Sequence, residues 1–492
     1  MRHARSAAAC LASLLLLAGC HVLDFSPRHG PGEIDLYDDL FSVSVPDDSH
    51  AVAVGYHGSI YWSENGGESW QKGRTPTERL LYGVAMADSK NGWAVGQLGT
   101  ILRTEDGGRS WENQPNPKAA EGAHLFDVEA IDANTAWVVG EWGTRIRTQD
   151  GGESWTDLSL TLDALSPLFV WLSERDQEKV RRGEKVYEDV TLNNLSCLGL
   201  PSRKCWIIGE FGYIFWSDDL GETWSRAEIV GDLALEPIDF AFNAIEIPEA
   251  AREPIESFAR AIAAKSYLKV QVEPSVTERE IRALSEGGDP TPLFDLIQAR
   301  VDSLNEILEG AGLLSDRINV PNKPPFDYED FLEEDPEFLT RYLAGRRAER
   351  AQLRAEVVQN PYLFTIRFQD EARGLISGLG GLVLRSEDGG RSWRYGQIDR
   401  MQALFSVDFG AERALAVGEK GLVRVSEDLG LSWAEPPQAT FPTVFTFMRD
   451  LGFERNRRVG FIVGQQGVIL RSTDGGETFR QVLPPPEPAQ GA

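Results

Sequence analysis

The chain has 492 residues and a formal net charge of −27, which repels polyanions over a Debye length and so excludes nucleic acid and bare anionic lipid as partners of its general surface. Hydrophobic residues make up 42% of it, enough for a large buried core. The four Cys and six His show no metal-ligand spacing, so no metal or cofactor is expected.

In chain order, residues 1–19 read as a signal peptide. Arg2 and Arg5 give a basic start, and Ala7 to Leu17 an apolar stretch too short for a permanent membrane helix. It ends in Leu17-Ala18-Gly19-Cys20, which resembles a bacterial lipobox. That resemblance implies cleavage before Cys20 and lipidation of it, with several acyl chains giving stable anchoring. His21 in place of Asp implies sorting to the outer membrane, facing the periplasm. Residues 20–35 read as a tether.

A repeat then sets the architecture. SENGGESW starts at Ser63, TEDGGRSW at Thr104, TQDGGESW at Thr148 and SDDLGETW at Ser217. SEDGGRSW follows at Ser386, SEDLGLSW at Ser426 and STDGGETF at Ser472. These are Asp-boxes, with Asn65, Asp106, Asp150, Asp219, Asp388, Asp428 and Asp474 at the acidic position. The hydroxyl and the acid can satisfy backbone N–H groups across a hairpin turn. A glycine at one fixed position, such as Gly108 or Gly390, suits positive φ. One acid per turn is too few for a calcium cage, which needs about 6–8 oxygens. The acids are therefore read as structural.

Segments such as LYGVAMADSKNGWAVGQLGTILRTEDGGRSW contain four strand-like runs, and the unit recurs about every 40–45 residues. The expected fold class is all-β: a seven-bladed β-propeller with four-stranded antiparallel blades. Blades 1–4 occupy 36–230 and blades 5–7 occupy 361–484, with a flexible tail at 485–492. Two box intervals are long and must hold insertions. The first, about 161–185, contains the helical, charged SERDQEKVRRGEK. The second, about 231–360, reads as a helical cap between blades 4 and 5. In it Leu293, Ile297, Val301, Leu304 and Leu308 form a helical stripe, and Arg346 to Val358 reads as another helix. Two capping boxes compete, Ser275–Glu278 and Thr277–Glu280. Phe326 to Phe338 is an acidic run mixed with aromatics.

Cys197 and Cys205 flank a short loop, and in an oxidising compartment they pair as a local disulfide. The boxes lie between the third and fourth strands, hence on one face. The tight turns between the second and third strands, and both insertions, lie on the other. In those turns two variable residues sit between glycines, which suits a recognition rim. The candidates are Tyr56, His57, Gln97, Glu141, Trp142, Glu210, Phe211, Glu419, Lys420, Gln465 and Gln466.

The pattern VGxxGxIxxTxDGGxxW, preceded by a hydrophobic pair, resembles the photosystem II stability and assembly factors of cyanobacteria and chloroplasts. The resemblance covers the seven repeats and the leader but not residues 231–360. It implies a non-catalytic, lipid-anchored periplasmic scaffold that binds a protein partner in or at the membrane during assembly of a membrane complex. The alternative is a glycan-active hydrolase of sialidase or endoglucanase type, also Asp-box propellers, with a small-molecule ligand left open. Sialidases carry an Arg-Ile-Pro motif before the first box, which this chain lacks. Arg103, Arg147, Arg385 and Arg471 each precede a box and are expected to stack on blade residues or pair with them.

Overall fold

The computed structural model describes residues 38–163, 173–230, 233, 235–263, 268–285, 290–320, 343, 346–359, 361–396, 398 and 402–483. The leader, Cys20, the tether, the tail and the acidic run Phe326–Phe338 lie outside the described residues.

Each repeat forms an antiparallel sheet, and the hydrophobic pattern explains the layering. The second strands, among them Ala51–Gly55, Ala136–Gly140 and Gly460–Gly464, are apolar runs buried on both faces. They are flanked by adjacent sheets, so neither side can be polar. Among the described residues there are seven such sheets. Their first strands are Leu40–Ser44, Leu81–Met86, Leu125–Ala130, Leu192–Cys197, Leu363–Phe368, Leu404–Phe409 and Met448–Phe453. These strands touch one another in cyclic order, the last against the first, which is the arrangement of a β-propeller.

The ring closes without strand exchange among the described residues. Side chains from one first strand bond the backbone of the next. The Leu195 amide donates to Asp127 (2.9 Å), and the Ile366 amide to Asn194 (2.9 Å). Thr365 donates to the Phe405 carbonyl (2.7 Å), and the Leu451 amide to Ser406 (3.2 Å). The Val43 amide donates to Asp450 (2.9 Å), joining the last sheet to the first. Trp70 packs edge-on to Phe461 across the same seam.

Two sheets depart from four strands. The sixth keeps three, Leu404–Phe409, Ala414–Gly418 and Val423–Ser426, plus a single bridge from Val425 to Ala434. Pro436 and Pro437 follow at once, and proline cannot donate to a ladder. The fifth gains an outer strand, Glu228–Ile229, parallel to Ser392–Tyr395.

The segment after the fourth sheet corrects the expectation of a helical cap, because it also contains a sheet. Its sheet has the order Ile238–Asp239, Gln352–Gln359, Leu268–Pro274, Ile318–Asn319. The stretch read as a helix from Arg346 is largely strand. Leu353 and Ala355 point into a core while Arg354 is exposed, and long-range pairing with Leu268–Pro274 overrides helical propensity. Among the described residues the chain has four α-helices, α1 (Glu174–Arg181), α2 (Glu249–Ala263), α3 (Glu278–Leu284) and α4 (Thr291–Gly310). The first lies in the 161–185 insertion; the others belong to this segment. The predicted stripe, Leu293 to Leu308, is buried on α4. Of the two capping boxes, Thr277–Glu280 forms at the start of α3, while Ser275 bonds the Arg350 carbonyl instead. Glu280 and Arg300 make a fully buried ion pair (2.6 Å).

Candidate functional site

The Asp-boxes are structural in their contacts. In the second box the Gly108 amide donates to Thr104 Oγ1 (3.0 Å), and Thr104 donates to Asp106 (2.9 Å). Asp106 accepts the Ser110 amide (2.9 Å) and hydroxyl (2.5 Å). Asp150, Asp219, Asp388, Asp428 and Asp474 repeat that set, and Asn65 accepts the Ser69 amide. At Asp150, bonds from Ser154 and Thr148 hold the carboxyl down at about 2. Box glycines Gly67 to Gly476 have φ between +82° and +95° and abut the preceding sheet: Gly152 meets Trp93, Gly221 meets Trp137 and Gly390 meets Trp206. The box face is thus where sheets are stapled together. Arg103 stacks on Trp93 (4.2 Å) and Arg147 on Trp137 (5.2 Å), while Arg385 pairs with Glu387 and Arg471 with Glu68. Cys197 and Cys205 are disulfide-bonded and pair in register in the fourth sheet's first hairpin.

The opposite face carries the rim, and its two turn positions do different work. Six of the seven first-position side chains fold back, and the other, Leu379, faces solvent. Gln97 accepts the Leu80 amide, Glu141 the His124 amide, Glu210 the Thr191 amide and Gln465 the Phe447 amide. Tyr56 packs on Phe41, and Glu419 lies near Arg449, opposing its neutralisation. These residues cap their own sheet and are half-buried. Second-position residues project outward at positive φ: His57, Leu98, Trp142, Phe211, Lys420 and Gln466. Leu98, Phe211 and Phe445 are 50%, 53% and 83% exposed, and Trp142 and Leu379 also face solvent. An exposed apolar crown on one face marks an interaction surface.

Sequence reasoning missed the residues inside that crown. The second position of each first strand forms a collar: Phe41, Tyr82, Phe126, Asn193, Phe364, Phe405 and Arg449. Phe41 contacts Tyr82 (6.0 Å), Tyr82 contacts Phe126 (5.0 Å) and Phe364 contacts Phe405 (5.5 Å). The Arg449 guanidinium lies over Phe41 (5.1 Å), Phe405 (4.9 Å) and Phe447 (5.2 Å). Burial pulls its pKa down, and its Nε has no hydrogen bond. The signal was in the LF or LY at five of the seven repeat starts, where an aromatic falls out of phase with the buried positions.

Further along the same strands is a charged layer. Burial pushes Asp127 up to about 7 and Glu129 up to about 8. Burial also raises Asp408. It opposes the charge of Arg367, but Asp450, Asp408, Asp127 and Glu129 outweigh it and hold that guanidinium protonated. Arg367 donates to Asn194 (3.0 Å) and to the Ile366 carbonyl (2.8 Å). Asp127, Asp408 and Asp450 bond backbone amides of the ring, so this layer belongs to closure. Among the described residues no cluster is arranged to hold a metal, and no helix is long and apolar enough to cross a membrane.

The site thus defines a propeller with an aromatic mouth and an apolar crown. A family described as photosynthesis system II assembly factor YCF48 matches residues 66–167, and the chain is similar to it there. Among curated proteins no sequence matches. Solved structures with which it aligns include YCF48 bound to D1 peptide, at 16% identity over 91% of this chain and 97% of that one, with a TM-score of 0.46. They also include YCF48 from Cyanidioschyzon merolae, at 13% identity over 89% and 97% with a TM-score of 0.48. A third is the WD40 β-propeller domain of Doa1, at 9% identity over 90% and 95% with a TM-score of 0.45.

Proposed function

We propose that this chain is a non-catalytic, seven-bladed propeller scaffold that holds a segment of a membrane-associated protein at its aromatic mouth, in the manner of a photosystem II assembly factor. The reading places the 231–360 insertion between blades 4 and 5, on the mouth side. It includes lipidation at Cys20 and a periplasmic position on the outer membrane. The observation that carries it is the crown of Leu98, Trp142, Phe211, Leu379 and Phe445 around the collar. Large apolar side chains left in water around the collar supply the anchors that protein interfaces use.

Tyr362 with Glu210, and Tyr213 with Glu188 (3.1 Å), are hydrogen-bonded Tyr–Glu pairs of the kind a hydrolase nucleophile uses. Burial and the neighbouring carboxylates push both phenols up, which keeps the hydroxyls neutral at rest. The box arginines are occupied on the other face. Docking is therefore the favoured reading.

Photo-crosslinking in cells tests it. A benzophenone residue at position 98 or 142 captures a membrane-protein partner, and one at Glu222 on the box face does not. Capture from position 222 alone overturns the reading. Palmitate labelling lost in Cys20→Ala tests the anchor separately.

A further inference from the structure

The segment between the fourth and fifth sheets carries a second surface that the mouth does not use. A groove of about 640 Å3 runs between α2 and the edge strand Ile238–Asp239. Its floor is apolar, from Leu235, Ile238, Ala251 and Phe258. One helical face supplies its wall. Ala250, Pro254, Ser257 and Ala261 recur at helical spacing and are small. With no long side chains there, a second helix axis can approach closely. The stripe spans about 16 Å, roughly three helical turns.

The groove's charge selects its occupant. Glu236, Asp239 and Glu253 line it, and no Lys or Arg does. Asp239 has a long, exposed contact with Arg350 (3.7 Å), while among the described residues no ion pair is made by Glu236 or Glu253. An extended strand is a poor fit, because the edge strand is two residues long and preceded by Pro237. The chain's own acidic run, Phe326–Phe338, has the wrong sign. We infer that this groove docks an amphipathic helix of a protein partner, apolar on the buried face and flanked by Lys or Arg. It is a helix-in-groove contact steered by charge complementarity.

The probe is a fluorescein-labelled helical peptide of about 18 residues with Leu on one face and Lys on the other, titrated against the full chain by anisotropy. Its Leu/Glu counterpart is the control. The expected result is saturable binding of the Leu/Lys peptide, weakened about tenfold or more by Ser257→Trp, which fills the groove without changing charge. E236K/E253K weakens it comparably at low salt, and Glu309→Lys on α4 does not. Arg449→Ala at the mouth leaves it unchanged, so this result and that of the mouth are separable. Circular dichroism confirms that each variant is folded. Absent binding, indifference to Ser257→Trp, or equal loss in Glu309→Lys overturns the inference, leaving only general attraction to a polyanion. A dimer seen by light scattering and broken by Ser257→Trp also overturns it, since the occupant is then a second copy.

Discussion

At the scale of single residues, the box glycines combine two constraints that a sequence shows only in part. Positive φ was legible from the repeated Gly; contact with the neighbouring sheet was not, because that neighbour lies far off in sequence. Gly390 and Gly380 separate the two. Both have positive φ (+82° and +71°), but a Cβ on Gly390 meets Trp206 Nε1 at 2.3 Å, whereas one on Gly380 meets nothing within 4 Å. Gly380→Ala is expected to cost about 1 kcal/mol and Gly390→Ala roughly 2–4 kcal/mol, measured by urea denaturation. The charged layer gives a second prediction. Asp127 and Glu129 titrate higher folded than unfolded, so their protonation stabilises the fold fully below about pH 4. That contribution is lost as pH rises through about 7 and about 8. Arg367 offsets this loss. Arg367→Met is therefore expected to lower Tm more at pH 8 than at pH 5, and equal shifts at both would contradict the assignment.

At the scale of elements, local patterns were read well wherever one unit explains itself. Box turns and the α4 stripe depend on residues within a turn or two; of the two overlapping capping boxes only Thr277–Glu280 forms. Arg346–Val358 was misread because its helix-forming residues sit opposite Leu268–Pro274, about 80 positions away, and pairing decides. The collar was missed for a related reason. Phe41 with Tyr82, Tyr82 with Phe126 and Phe364 with Phe405 meet only when separate strands lie side by side, although each already stood in the same repeat position. The first hairpin of the fourth sheet offers a test at this scale. The Cys197–Cys205 link closes a short loop, and Cys197→Ser with Cys205→Ser is expected to lower stability by roughly 2–3 kcal/mol. Hydrogen exchange should show the loss concentrated in Leu192–Gly209.

At the scale of the whole molecule, closure rests on side-chain-to-backbone bonds instead of a shared strand. Asp450 is the joint between the last sheet and the first, and it also accepts from Ser406 (2.9 Å). Asp450→Ala leaves the buried Val43 N–H without its acceptor, a cost of about 1–3 kcal/mol. Calorimetry should show one lowered, still cooperative transition; two separate transitions would mean that the sheets do not close as a ring. The overall ring was legible from periodicity, because a repeat that cannot bury its own faces must stack on copies of itself. The partner was not, since identity lies in exposed side chains that no packing rule constrains.

Because the first and last sheets are each spun from one uninterrupted stretch of chain, the place where the polymer starts is arbitrary with respect to the ring. Asp39 already accepts the Gln466 amide, and Val482 and Leu483 pack into the core beside Leu40. Splicing those ends with a short flexible linker and cutting new ones in the loop near Thr440 yields a circular permutant. Such a rearranged polypeptide should still fold, and would relocate both termini without disturbing the mouth.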